Sequence, residues 1–245
     1  MRLIFLQNFI DVLRGKKVYA KFLKKKYDAV FSLGNNCETC IRLRDDFLGA
    51  DFESFLFNWT AILDRDKFIE LLGTGGKKLL CDNFEYTNSN DMLYAKYFKI
   101  GIHSRYKKEE LADNLKLQKE AVDEIKSRLN HLAEKTEILF NSNKSILFVA
   151  KVLHKDFEDD CNYIKNLYNI ILKNITYSDK RNFKLLCIVQ KYDYDDKKFK
   201  KLCLKFKNFQ KNRLEIKRVK KFANLGMKKG DRYGWVKILK KEIFV

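Results

Sequence analysis

Four short apolar or β-branched runs punctuate this chain, at residues 28–33 (DAVFSL), 145–152 (SILFVAKV), 183–189 (FKLLCIV) and 214–219 (LEIKRV). Between them the apolar residues fall at helical spacing instead. Cys37, Cys40, Ile41 and Leu48 form one such stripe. Leu111, Leu115, Val122, Ile125, Leu129 and Leu132 form a longer one over residues 107–135. Phe157, Cys161, Ile164, Leu167 and Ile171 form a third, and Phe199, Leu202, Cys203, Phe206 and Phe209 a fourth. Short apolar runs read as buried strands and 3.6-residue periodicity as amphipathic helices. Strands alternating with helices predict an α/β fold, a mostly parallel sheet flanked by helices in three layers. Residues 49–102 fit the alternation least. They hold an aromatic-rich piece, FESFLFNW, and a glycine turn, GTGG, and are expected to form an irregular insertion or lid. Residues 235–244 close the chain as a helix. With no Pro/Ser-rich linker and no internal repeat, residues 27–245 read as a single domain.

A chain of 245 residues, 46% hydrophobic and 14% aromatic, can bury a real core and is not disordered. Its formal charge of +19 would ordinarily point to nucleic acid or anionic lipid. The excess of Lys, Asn, Ile and Phe, with no Pro, suits an AT-rich coding bias instead. The basic run 197–221 keeps its Phe and Leu at helix and then strand spacing, so those residues belong inside, and nucleic acid is not expected as a partner. Six cysteines, several within apolar runs, suit a reducing cytoplasm better than a disulfide framework. No apolar stretch approaches the roughly 20 residues of a membrane span, and no signal-peptide cleavage site follows the N-terminus. In residues 1–26, Leu3, Leu6, Ile10 and Leu13 share a helical face ahead of a lysine cluster. Such a helix packs on its own domain or lies on an anionic membrane. The expectation is a cytoplasmic protein, with peripheral contact at the inner membrane face as the alternative.

The chemistry concentrates at SLGNNCETC, residues 32–40. Here the first strand ends in Gly34-Asn35-Asn36 and opens a helix at Cys37. Ligands of open α/β sheets gather at the carboxyl ends of strands, and a thiol at a helix start is favoured toward thiolate by the helix dipole and nearby N–H groups. Cys37 is thus a nucleophile candidate, with Gly34 and the amides of Asn35 and Asn36 shaping an oxyanion pocket. Glu38 works against a thiolate next to it. Two other readings stay open, a Cys37/Cys40 redox or metal pair, or plain core sulfur. Cys40 shares a face with Ile41 and reads as structural. A metal site lacks further ligands at suitable spacing, and no cofactor motif is present: GTGG follows a helix and lacks the phosphate-loop frame. Of the three histidines, His103 leads as general base, since it lies where a strand-like piece (residues 97–102) meets the long helix. His131 reads as a packing residue on the long helix, and His154 follows the 145–152 strand. Asp231 could orient a histidine or simply cap the last helix.

SLGNNC (32–37), FNW (57–59), the His103 segment and RLNHL before ILFVAKV resemble a bacterial family of papain-like cysteine peptidases, over roughly residues 28–152, with a weaker echo at Gly234-Trp235. The resemblance implies that Cys37 is the nucleophile and that Trp59 and Arg128 contact substrate. That family often carries Asp where this chain has Asn58, and Asp after the histidine where it has Ser104. Papain-like folds are α+β, whereas the alternation here is similar to Rossmann-like folds or to SGNH esterases, with Cys37 where the latter hold serine. The reading is a cysteine-nucleophile hydrolase or acyltransferase acting on an ester or amide of a small molecule, glycan or peptide. The alternatives are a transferase for phosphorylated or nucleotide-linked sugars in surface-polysaccharide synthesis, or a non-catalytic anion- or nucleic-acid-binding module.

Overall fold

The computed structural model describes residues 24–34, 37–48, 52–86, 91–175, 183–210, 213–223 and 230–244. Most of the expected N-terminal helix, and both Asn35 and Asn36, lie outside these residues. β1 (Ala29–Ser32) leads into α1 (Cys37–Leu43), which continues as a π-helical turn (Arg44–Leu48). β2 (Thr60–Ile62), α2 (Arg65–Gly73), a 3₁₀ turn (Lys77–Cys81), β3 (Phe84–Tyr86), β4 (Met92–Ala95) and β5 (Ile100–His103) follow. After α3 (Lys108–Leu111) and α4 (Leu115–Asn141) come β6 (Ile146–Lys151), α5 (Phe157–Asn174), β7 (Phe183–Gln190), α6 (Asp196–Lys205), α7 (Lys207–Gln210), β8 (Leu214–Val219) and α8 (Arg232–Ile243).

The four apolar runs become the strands of one parallel sheet in the order β1-β6-β7-β8, with Phe31 opposite Phe148 and Phe148 opposite Leu185. Alternate side chains serve opposite faces, as the pleat requires. Phe31, Phe148, Leu185 and Ile216 pack in the same core as Leu129 of α4, Ile164 of α5 and Leu202 of α6. Val30, Leu147, Leu186 and Val219 pack with Leu43 of α1 and with Trp235 and Leu239 of α8. Both faces are covered, which is why these strands read as apolar runs. The chain therefore leaves β1 toward one face and leaves the neighbouring β6 toward the other.

Residues 49–102 correct the expectation of an irregular insertion. They contribute β2, β3, β4 and most of β5 to a second, antiparallel sheet ordered β2-β5-β4-β3. Its strands are three or four residues long, too short for an alternating pattern to register. Its inward residues Ile62, Leu93, Ala95, Ile100 and Ile102 join the larger core. GTGG is a helix stop, with Gly75 and Gly76 at φ of 63° and 84° after α2. The long helix predicted over 107–135 is interrupted after Leu111 and restarts at Asn114, whose Oδ1 accepts from Leu117 N at 2.9 Å. Among the described residues no helix is long and apolar enough to cross a membrane.

Candidate active site

Gly34 sets the geometry. It adopts φ of 71°, and a Cβ there would sit 2.6 Å from Thr60 Oγ1 and 2.9 Å from Ile62 Cδ1. Only glycine both takes that backbone conformation without strain and lets β2 lie this close to the end of β1. β2 brings β5 with it, Thr60 pairing with Ile102. The last residue of β5, His103, thereby reaches the first residue of α1. Its Nε2 lies 2.8 Å from Cys37 Sγ. Cys37 is 6% exposed, and the imidazole in front of it is partly buried against the thiol while the rest of His103 meets solvent. Arg128, on α4, donates from Nη2 to the His103 carbonyl at 2.9 Å and ties the end of β5 to the helix.

These residues border a cleft of about 740 Å³ whose walls include Trp59, Asn58, Ile41 and Leu132. Trp59 is held at φ of 66°, unusual for a large side chain, and its N–H donates to Cys40 Sγ at 3.4 Å. Cys40 thus supports the tryptophan from behind, while Arg44 stacks on the indole face at 4.6 Å. Asn58 is 4% exposed. Its Nδ2 donates to Glu53 O at 3.3 Å, and its buried Oδ1 has no partner among the described residues.

Burial dominates the electrostatics. It pushes the Cys37 thiol up to about 12, with Cys40 adding in the same direction, and the Cys40 thiol up to about 11. Burial also lowers His103 below the ordinary imidazole value; Asp91 pulls upward and Arg128 downward. The pair therefore rests as a thiol and a neutral imidazole, which corrects the expectation of a thiolate favoured by the helix start. Glu38 does not oppose Cys37 as expected either. Its Oε2 pairs with Lys151 Nζ at 2.8 Å and both its oxygens accept from Ala223 N at 3.0 Å.

Cys37, His103, Trp59 and Arg128 come together at the cleft, while Gly34 packs against Thr60 and Ile62 and does not line it. Asp231 does not join them. It caps α8, with Oδ1 accepting from Gly234 N at 2.9 Å and Oδ2 from Lys220 N at 2.6 Å, so both oxygens serve backbone amides. His154 belongs to another cluster, its Nδ1 2.7 Å from Asp160 Oδ2, an oxygen that also accepts from the Tyr194 hydroxyl. His131 is exposed on α4 rather than packed. Sequence reasoning missed Arg44, Arg105 and Asn58 as wall residues, and Asp91 as the carboxylate acting on His103. Asp91 precedes β4, across from the end of β5, where Ser104 N donates to its carbonyl at 3.0 Å. Only the antiparallel pairing could have revealed it.

No protein-family model, curated protein or solved structure matches this chain.

Proposed function

We propose that the chain is a cysteine-nucleophile hydrolase or acyltransferase of the three-layer, SGNH-like kind, acting on an ester or amide. The 2.8 Å contact between Cys37 Sγ and His103 Nε2 at the wall of an open cleft is the observation that carries this reading. Nucleophile and base within hydrogen-bond reach are what acyl transfer needs. The thiol proton passes to Nε2 as Sγ attacks the carbonyl carbon, so no thiolate has to be stored in a buried site. The protonated imidazole then returns the proton to the departing alcohol or amine, leaving an acyl-thioester. Water, or a second alcohol or amine, attacks that thioester with His103 again as base. The resemblance to papain-like cysteine peptidases supports the nucleophile; the alternation of strands and helices supports the hydrolase architecture.

The test is acylation by a panel of p-nitrophenyl esters, followed by peptide mass spectrometry. An acyl adduct on Cys37, absent in Cys37→Ala and slowed in His103→Ala, is expected. Adducts only on other residues, or a Cys37 rate indifferent to His103→Ala, would overturn the reading.

A further inference from the structure

Among the described residues, the walls of the cleft beside Cys37 include three arginines, Arg44, Arg105 and Arg128, and no Asp or Glu. A general surplus of basic residues does not account for this. The chain holds 40 lysines and 11 arginines, yet among the described residues no lysine lines the cleft. Guanidinium is the less strongly hydrated cation and presents a planar fork matched to carboxylate and phosphate. Two of the three already have acidic neighbours: Arg44 Nε lies 2.6 Å from Asp45 Oδ1, and Arg105 Nε 2.7 Å from Glu124 Oε2. Arg128 differs. Its hydrogen bond goes to the carbonyl of His103, and among the described residues no carboxylate forms an ion pair with it. Burial lowers its pKa, and Glu124, one turn earlier on α4, pulls it back up without closing an ion pair. The neighbouring wall is apolar, formed by Leu56, Leu129 and Leu132.

We infer that the acyl substrate carries a second, anionic group, a carboxylate or phosphate, which Arg128 receives while an apolar body lies along Leu129 and Leu132. This rests on Cys37 as the nucleophile. The site would select against neutral esters, which gain nothing from the guanidinium of Arg128.

Iodoacetate and iodoacetamide share one electrophilic carbon and differ in charge. With either, Sγ forms a bond to that carbon, iodide leaves and the thiol proton passes to His103. The exposed Cys81 serves as an internal reference. Peptide mass spectrometry should show Cys37 preferring iodoacetate, relative to Cys81. The preference should fall about tenfold in Arg128→Gln, the size of one screened charge contact, and largely survive in Arg128→Lys. Protection of Cys37 by phenylphosphate or by 3-phenylpropionate then separates phosphate from carboxylate. A Cys37 that labels with the same preference as Cys81, unchanged in Arg128→Gln, overturns the anionic substrate and leaves the nucleophile standing. A Cys37 inert to both reagents while Cys81 reacts overturns the nucleophile. In that case thermal shift with the same two ligands decides the anion seat: a stabilisation lost in Arg128→Gln supports it, and none, or an equal one in both proteins, overturns it.

Discussion

Glu38 and Lys151 form an ion pair at 2.8 Å with side chains 0% and 1% exposed, one residue from the Cys37 thiol. The pair occupies the carboxyl ends of β1 and β6, where the chain departs to opposite faces and a ligand crevice would otherwise be expected. Burial lowers the Lys151 pKa and Glu38 pulls it back up. The charge of Glu38 is thus matched by Lys151, and the two fasten the start of α1 to the sheet. Glu38→Gln, which leaves Lys151 without its carboxylate, is expected to cost about 3–5 kcal/mol in urea denaturation. The double variant Glu38→Met/Lys151→Met should recover most of that loss. A single variant as stable as the parent would refute the clamp.

In the proposed reaction His103 governs the pH response. Its pKa is lowered chiefly by burial, and the form that would act as base is the neutral imidazole. Acylation of Cys37 should therefore rise with pH through a midpoint below 6.5 and be level at neutrality, with no dependence on a free-thiol pKa near 8.5. In His103→Ala the rate at pH 7 should drop by about 10²–10⁴-fold and climb only at alkaline pH, because the Cys37 thiol is held up to about 12. A parent profile that follows thiol ionisation would contradict the neutral pair.

Asp91 raises the His103 pKa. Removing that charge in Asp91→Asn should move the acid limb of the profile to lower pH, so the variant is faster than the parent on that limb and equal to it at pH 8. An unmoved limb would show that Asp91 is too well solvated to matter.

Gly34→Ala tests the approach of the two sheets. The new methyl must displace Thr60 or Ile62 and also hold φ of 71°. A stability loss of about 1–3 kcal/mol is expected. Slower Cys37 labelling should accompany it, since β2 carries β5 and His103 with it. Retained stability with unchanged labelling would mean that the contact relaxes freely.

Alkaline stability follows from the buried thiols. Cys40 is 0% exposed and its thiol is pushed up to about 11. An unfolded thiol releases its proton near 8.5, so above that pH the unfolded state binds fewer protons and stability falls as pH rises. Cys37, Cys187 and Tyr163 act in the same direction. Lys151, whose pKa is lowered, acts against them. The urea midpoint should decline between pH 8.5 and pH 11, and the decline should be shallower in Cys40→Ala.

The parallel half of the fold was legible because its strands are buried on both faces: ILFVAK of β6 has no exposed residue, and such a run allows little else. Asp64 caps α2, its Oδ1 accepting from both Asp66 N and Lys67 N at 3.0 Å, a role its residue type favours. The second sheet was not legible, since three residues such as Thr60, Ala61 and Ile62 carry no period. Cys37 stood out by its place after a strand, and His103 by its place at the end of another. Their meeting depends on long-range pairing across 66 positions, which local pattern does not encode. Asp231 misled for the opposite reason, because a capping aspartate and an orienting aspartate look alike until its acceptors are seen.

Cys37 hangs from the parallel sheet and His103 from the antiparallel one, and among the described residues the two are joined there by side-chain packing, the Trp59 N–H bond to Cys40 and the Arg128 tether. A slide of one sheet past the other by a few tenths of a side chain's width would part thiol from imidazole while every backbone ladder stayed intact. Reactivity at Cys37 is thus a gauge of alignment between the two sheets, able to fade while the protein remains folded, and responsive to whatever grips the outer strands.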